Sequence, residues 1–187
     1  MIIGIISDTH DRRGNIEKAI DILNGEKAEL VIHCGDWVVA STFAAFRDLR
    51  ASIMGVLGNM DLEIETYKFR LEHEFKDMAR KIKLSHPFLE TEQDGKRIAA
   101  CHGHDTSLLE DLVTSGSYDV VCCGHTHTPK LEQYEGRTLV INPGTVAGYY
   151  GFERKEVPAT IALYDTKTNE AKFFELPQYD LRGVSVT

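Results

Sequence analysis

Apolar runs at 1–7, 29–34 and 51–57 alternate with segments of helical period at about 15–24 and 41–50, and this spacing predicts a βαβαβ unit. In the first helical segment Ile16, Ala19, Ile20 and Leu23 recur at intervals of three and four. Asn15 stands where an N-cap would, and Asn24-Gly25 supplies a stop. Residues 62–80 are helical by composition but poorly periodic. From about residue 83 the texture changes: KIKLSHPFLET and KRIAACH flank the turn Asp94-Gly95 and read as a hairpin. A helix at about 106–115 and a strand at 118–123 follow, then hairpins closed by Glu135-Gly136 and by the polar turn Thr166–Asn169. No linker, repeat or low-complexity stretch interrupts this order, so one domain is expected over 1–187. A parallel half followed by antiparallel hairpins predicts an α/β fold with two mixed sheets packed face to face, helices outside, and ligands beyond the carboxyl ends of strands.

Five polar clusters fall just after apolar runs: Asp8-Thr9-His10, Gly35-Asp36, Gly58-Asn59-Met60-Asp61, His102-Gly103-His104 and Gly124-His125-Thr126-His127. Any one of them reads equally well as a turn, since Gly, Asn and Asp have local conformational reasons to end a strand. Five together point to a shared site. In an extended segment, residues i and i+2 face one side, which would let Asp8/His10, His102/His104 and His125/His127 each present two ligands to one centre.

The remaining composition narrows the chemistry. The 187 residues are 42% hydrophobic and 27% charged, enough for a core that needs no structural metal, so a metal site would serve function. With Lys+Arg 21 against Asp+Glu 29, the net charge of -8 disfavours nonspecific nucleic-acid or anionic-membrane binding. Met1–Ile6 is too short for a secretory leader, Ile2 excludes myristoylation, and no apolar run approaches membrane-spanning length, so a cytoplasmic location is expected. Cys34, Cys101, Cys122 and Cys123 lack CxxC spacing and lie within or at the ends of apolar runs, which suits buried, reduced thiols.

In order and spacing the clusters resemble the calcineurin-like metallophosphoesterases, specifically their small bacterial and archaeal YfcE-type phosphodiesterases. The likeness runs from SDTHD through HCGD, GNMD, CHGHD and YDVVCCGHTH to VINPGT. It implies a four-layer α/β/β/α sandwich and a centre of two divalent metal ions. Asp8, His10, Asp36 and His127 would hold one ion, and Asp36, Asn59, His102 and His125 the other, with Asp36 bridging. Imidazole, carboxylate and neutral amide suit first-row ions without choosing among them; manganese is the first expectation, with nickel, cobalt, iron or zinc as the others. Two divalent ions, two carboxylates and a bridging hydroxide leave about +1, which attracts a phosphodiester monoanion. The hydroxide would attack phosphorus, so no nucleophilic side chain is required. The implied activity is hydrolysis of small phosphodiesters. The alternative is a protein-interaction scaffold on the same fold, as in the retromer subunit, and a homo-oligomer is compatible with either.

Met60 departs from the resemblance, which expects histidine between Asn59 and Asp61. Methionine cannot protonate a leaving group, and general acid-base assistance contributes about 10²–10⁴-fold. His104 is the candidate replacement, with Asn59 and Asp61 as the other residues assigned to catalysis; a solvated histidine beside the site is the alternative for His104. His33 reads as packed within its strand or as a support behind the ligands, His73 as solvated on a helix, and His86 as part of a strand before Pro87; Arg12 and Arg13 read as solvent-facing, with contact to a substrate phosphate as the alternative. Asn142-Pro143-Gly144-Thr145 either forms a turn or helps position a ligand. The stretch Val146–Arg154, with Tyr149, Tyr150 and Phe152, reads as a surface loop or an oligomer contact.

Overall fold

The computed structural model describes residues 1–151 and 153–177. Strands β1 (Ile2–Ile6), β2 (Leu30–His33), β3 (Ser52–Val56) and β4 (Ile82–Ser85) pair in parallel. Strands β12 (Thr160–Asp165) and β13 (Glu170–Glu175) add antiparallel on the β1 side, giving the order β13-β12-β1-β2-β3-β4. The second sheet has the order β5-β6-β7-β9-β8, from β5 (Phe88–Gln93), β6 (Lys96–Cys101), β7 (Val120–Cys122), β8 (Lys130–Tyr134) and β9 (Thr138–Asn142). Strands β10 (Tyr149–Tyr150) and β11 (Lys155–Glu156) form a separate short hairpin.

Strand parity builds the layers. Ile3, Ile5, Leu30 and Ile32 point into a core shared with Ile98, Ala100, Val120, Cys122 and Ile141 of the second sheet. Their neighbours Ile6 and Val31 point the other way, onto helix α1 (Arg13–Gly25) and a 3-10 helix at Ala40–Phe46. On the far side, Ala99, Cys101, Val121 and Cys123 share a third core with Leu112 of helix α3 (Thr106–Thr114). Three cores separate four layers, α/β/β/α. Central strands are buried on both faces, which is why they appear in the sequence as unbroken apolar runs. All four cysteines are buried and free, and burial pushes the Cys101 and Cys123 thiols up to about 12 and about 11. No helix among the described residues is long and apolar enough to cross a membrane.

Several local expectations are corrected. Arg12, not Asn15, occupies the N-cap of α1, and Asn15 lies within the helix with its amide donating to Val146 O at 2.8 Å. The 41–50 segment is the 3-10 helix, whose buried Ala40, Phe43 and Phe46 recur every third residue, the repeat that aligns side chains in that geometry. Helix α2 covers only Ile64–His73 of the 62–80 segment. KIKLSHPFLET is two strands in different sheets, β4 beside β3 and β5 beside β6, joined through His86-Pro87. His86 is therefore outside a strand, and Pro87 has no N–H with which to continue a ladder. The hairpins β5–β6, β8–β9 and β12–β13 form as expected.

Candidate metal centre

The five clusters lie at the carboxyl ends of β1, β2, β3, β6 and β7 and are tied to one another by backbone. Asp8 N donates to Gly35 O at 3.0 Å, His10 N to Asp36 O at 3.1 Å, and Gly124 N to His102 O at 2.9 Å. The convergence does not use extended backbone. Asp8, His10, Asp36, Val38, His125 and His127 have φ of 53, 43, 60, 71, 68 and 56°, in the left-handed region that costs non-glycine residues energy. Strain of this kind persists only where surrounding contacts enforce it. Here they do: Thr145 Oγ1 and Ala147 N both bond Asp8 O, at 3.1 and 3.0 Å, and Val146 N bonds Ser7 O at 3.0 Å. The Asn142–Thr145 segment is thus both a turn and a positioning device. Asn142 Nδ2 also holds Gly124 O at 2.8 Å, beside the His125–His127 loop.

Two groups of ligand atoms result, each with its members within 4.8 Å of one another: Asp8, His10 and His127, and Asp8, Asp36 and His102. Asp36 faces both ways, with Oδ2 3.6 Å from His10 Nε2 and Oδ1 3.4 Å from His102 Nε2. Asn59 Oδ1 is 3.1 Å from His102 Nε2. The His125 ring is outside both groups; its centroid is 5.1 Å from that of His102, and its backbone N–H donates to Asp8 Oδ2 at 3.1 Å. His104 is exposed, with its ring 5.4 Å from His102 and 6.2 Å from His125.

This donor set suits a cation. Asp8 Oδ1 lies 3.1 Å from His127 Nε2, but the approach lacks hydrogen-bond direction. It is a buried oxygen without a hydrogen-bond partner among the described residues, and so are Ser7 Oγ and the ring atom His10 Nε2. Unpartnered polar atoms at this depth are costly in a protein interior unless something else satisfies them. Electrostatics agree. Burial raises the Asp8 carboxyl, but the imidazoles of His127 and His102 outweigh it and take the group below its ordinary value. Burial lowers His127, and Asp8 in turn outweighs that and raises it, so the carboxylate draws positive charge. Burial takes His10 down to about 4, which leaves a neutral imidazole able to ligate. Burial also pushes the Asp36 carboxyl up to about 6 against the opposing Met60 N–H, a cost that a bound cation would remove.

The supporting contacts were mostly invisible in the sequence. Asp61 Oδ2 accepts from Asp36 N at 2.9 Å and Gly58 N at 2.8 Å, and its Oδ1 accepts from Val38 N at 2.7 Å and Tyr67 Oη at 3.2 Å. It therefore clamps the Asp36 loop to the β3 loop. Burial raises the Asp61 carboxyl, and the N–H groups of Gly58 and Val38 oppose that. Met60 N donates to Asp36 Oδ1 at 3.0 Å while its side chain is 45% exposed. His33 is packed, as expected, and its state can be read: Gly35 N donates to Nδ1, so Nε2 carries the proton toward Thr9 Oγ1, whose hydroxyl reaches Asp36 O. The His33 ring also stacks on Trp37 at 3.6 Å. His73 is exposed on α2 against Phe69. Glycine is required at 58, where a Cβ would stand 2.1 Å from Asp36 Oδ1, and at 124, where it would stand 1.9 Å from Ser7 Oγ.

A cavity of about 580 Å³ opens over the cluster, walled by His10, Asp36, His127, Met60, Tyr150 and Arg154 among others. The 146–154 stretch is thus a wall of the site rather than a free loop; Phe152 lies outside the described residues. The Tyr149 carbonyl accepts from His127 Nδ1, which turns Nε2 toward Asp8. Arg13 pairs with Asp11 at the surface, whereas the exposed Arg12 guanidinium lies 5.3 Å from the Tyr149 ring centroid.

Comparison with known proteins shows the family. Residues 1–169 match the family model of the calcineurin-like phosphoesterase superfamily domain. Phosphodiesterase MJ0936 of Methanocaldococcus jannaschii is 41% identical over 170 residues, covering 91% of this chain and 96% of the relative. Phosphodiesterase YfcE of Escherichia coli is 24% identical over 179 residues, covering 85% of this chain and 90% of the relative. A solved structure of an archaeal phosphodiesterase superposes with a TM-score of 0.82 at 40% identity, covering 94% of this chain and 100% of that one.

Proposed function

The chain belongs to the calcineurin-like phosphoesterase superfamily, and on that premise we propose that it is a dinuclear metal-dependent phosphodiesterase acting on small phosphodiesters. One observation carries the reading: Asp36 turns one oxygen toward His102 of its own group of ligand atoms and the other toward His10 of the second group, and Asp8 belongs to both groups. Asp8, His10, Asp36 and His127 would hold one ion in this proposal, and Asp36, Asn59, His102 and His125 the other. The whole chain is one such domain. When bound, the ions supply Lewis acidity and an activated water at neutral pH, manganese being the first candidate.

The chain's own residues then have limited tasks. Asp36 and Asp8 would supply the two carboxylates of the centre, few enough that two divalent ions would leave it net positive for an anionic ester. Asn59, its Oδ1 3.1 Å from His102 Nε2, would ligate without adding charge. Met60 contributes its backbone N–H to Asp36 and no side-chain proton. His104 is the imidazole beside His102 and His125 that is left for leaving-group protonation. Asp61 fixes the loop that carries Asp36. A scaffold would capture a partner without turnover; the buried, unpartnered Asp8 and His10 ligand atoms favour the metal-dependent reading.

The test is metal-stripped protein reconstituted separately with Mn, Ni, Co, Zn or Mg, assayed for metal content and for hydrolysis of bis(p-nitrophenyl) phosphate. About two metals per chain with metal-dependent turnover, lost in Asp36→Asn, supports the reading. Full activity without metal, or two bound metals without turnover, counts against it. His104→Ala should lose turnover while keeping its metals; unchanged turnover removes that residue from the mechanism.

A further inference from the structure

Beside the candidate ligands the cavity wall also carries apolar and aromatic side chains, with the Tyr150 ring 6.1 Å from that of His127, and phosphate alone has no need of them. Met60 is 45% exposed and Tyr150 54% exposed, and both line the same cavity. They come from distant parts of the chain, the β3–α2 loop and strand β10. The neighbouring Tyr149 ring is already engaged: it lies 5.4 Å from the His10 ring, with the guanidiniums of Arg12 and Arg154 5.3 and 5.4 Å from its centroid. Arg154 lines the cavity and the exposed Arg12 lies against the same tyrosine ring, so two cations stand beside the cavity in a chain of net charge -8. An anionic substrate is steered there, and a cationic ester group is repelled.

We infer that the cavity takes a phosphate ester carrying a flat aromatic group, a nucleobase or aryl ring, which rests against Tyr150 and Met60 while the phosphate meets the ligand cluster. This deepens the phosphodiesterase reading and rests on it for the reaction, though not for binding. The chemistry of the wall selects the class. A tyrosine ring stacks with any planar π-system, and a thioether is polarizable and packs well against ring edges. A short alkyl ester would leave both side chains largely wet. At about 580 Å³ the cavity has room for the ring as well as the phosphate, being within the roughly 300–1,000 Å³ of small-molecule sites. The sequence departure at Met60 fits the same picture, because it puts an apolar contact where the resemblance expects a polar one.

AMP and ribose 5-phosphate carry the same phosphomonoester and differ by adenine, so they are the probes. Equilibrium dialysis against the full-length Mn-reconstituted protein should show AMP binding tighter by about 5- to 150-fold, the contribution of stacking on one aromatic side chain. Tyr150→Ala and Met60→Ala should shrink that ratio, and Tyr150→Phe should keep it. Equal affinities in the wild type, or a ratio untouched by Tyr150→Ala, overturn the inference. Hydrolysis of bis(p-nitrophenyl) phosphate by the same samples separates the two readings. Preference for AMP without any turnover sustains the aromatic wall and removes the phosphodiesterase reading. Turnover without preference for AMP does the reverse.

Discussion

Asp61 offers the sharpest test of how this site is held together. Its carboxylate accepts from three backbone N–H groups, those of Asp36, Val38 and Gly58, and from the Tyr67 hydroxyl. Asp61→Ala strands all four donors. A buried donor left without a partner costs about 1–3 kcal/mol, and because the loops can relax the costs will not simply add, so a loss of about 3–5 kcal/mol is expected. Asp61→Asn has the same shape but only one acceptor oxygen. If that oxygen keeps Asp36 N and Gly58 N, the new NH₂ can donate to Tyr67 Oη but opposes Val38 N–H, which predicts a smaller loss of about 1–3 kcal/mol. Urea unfolding can be followed through Trp37, the only tryptophan, which is fully buried between Asp36 and Val38 in the chain. With a slope of roughly 2 kcal/mol per molar urea, the alanine variant's midpoint should fall by about 2 M. Metal affinity should fall with it, since Asp36 loses its anchor. A variant within about 1 kcal/mol of wild type that keeps its metals but loses turnover would refute the positioning argument and make Asp61 a participant in the chemistry.

Four other outcomes are expected. Gly58→Ala places a Cβ 2.1 Å from Asp36 Oδ1, so metal affinity should drop roughly 10- to 100-fold with the far-UV circular dichroism unchanged; unaltered affinity would contradict the close approach. Burial holds the His33 imidazole at about 3, below its unfolded value of about 6.5, so the unfolded chain takes up the proton first as pH falls. This part of the stability is complete above pH ~6.5 and is lost progressively toward pH ~3, so urea midpoints of His33→Gln should depend less on pH over that window than those of wild type. A divalent ion at 100 times its Kd should stabilise the fold by about 2.7 kcal/mol per site, seen as a rise in Tm that EDTA reverses; no shift would deny a folded-state metal site. Asp105 caps α3 by accepting from Ser107 N and Leu108 N at 3.1 Å, and Asp105→Ala should cost about 1 kcal/mol with little effect on metal content.

Much of this architecture could be read locally. Apolar runs gave away the central strands because both faces of β1, β2 and β7 are buried, and the period of α1 was set by the buried Ile16, Ala19, Ile20 and Leu23. The segment from 83 to 93 misled because β4 and β5 share one composition, and nothing in it marks the crossing between sheets except Pro87. The candidate ligands were legible for a different reason: a metal centre would demand particular side chains, and those stand out at strand ends whatever their backbone does. Their backbone was not legible. The extended geometry assumed for Asp8/His10 and His125/His127 is in fact left-handed.

The sequence alone determined the layers, the central strands and the chemical identity of the candidate ligands, since these follow from side-chain period and type over a few residues. Only the tertiary structure decided that Asp61 serves as a clamp, that Thr145 holds the Asp8 backbone across 137 positions, and that Tyr149 and Tyr150 wall the cavity. Each of those depends on which donor meets which acceptor after chain closure. Left-handed backbone at Asp8 and Asp36 is affordable only because contacts from distant segments enforce it, and a local pattern contains no record of distant contacts.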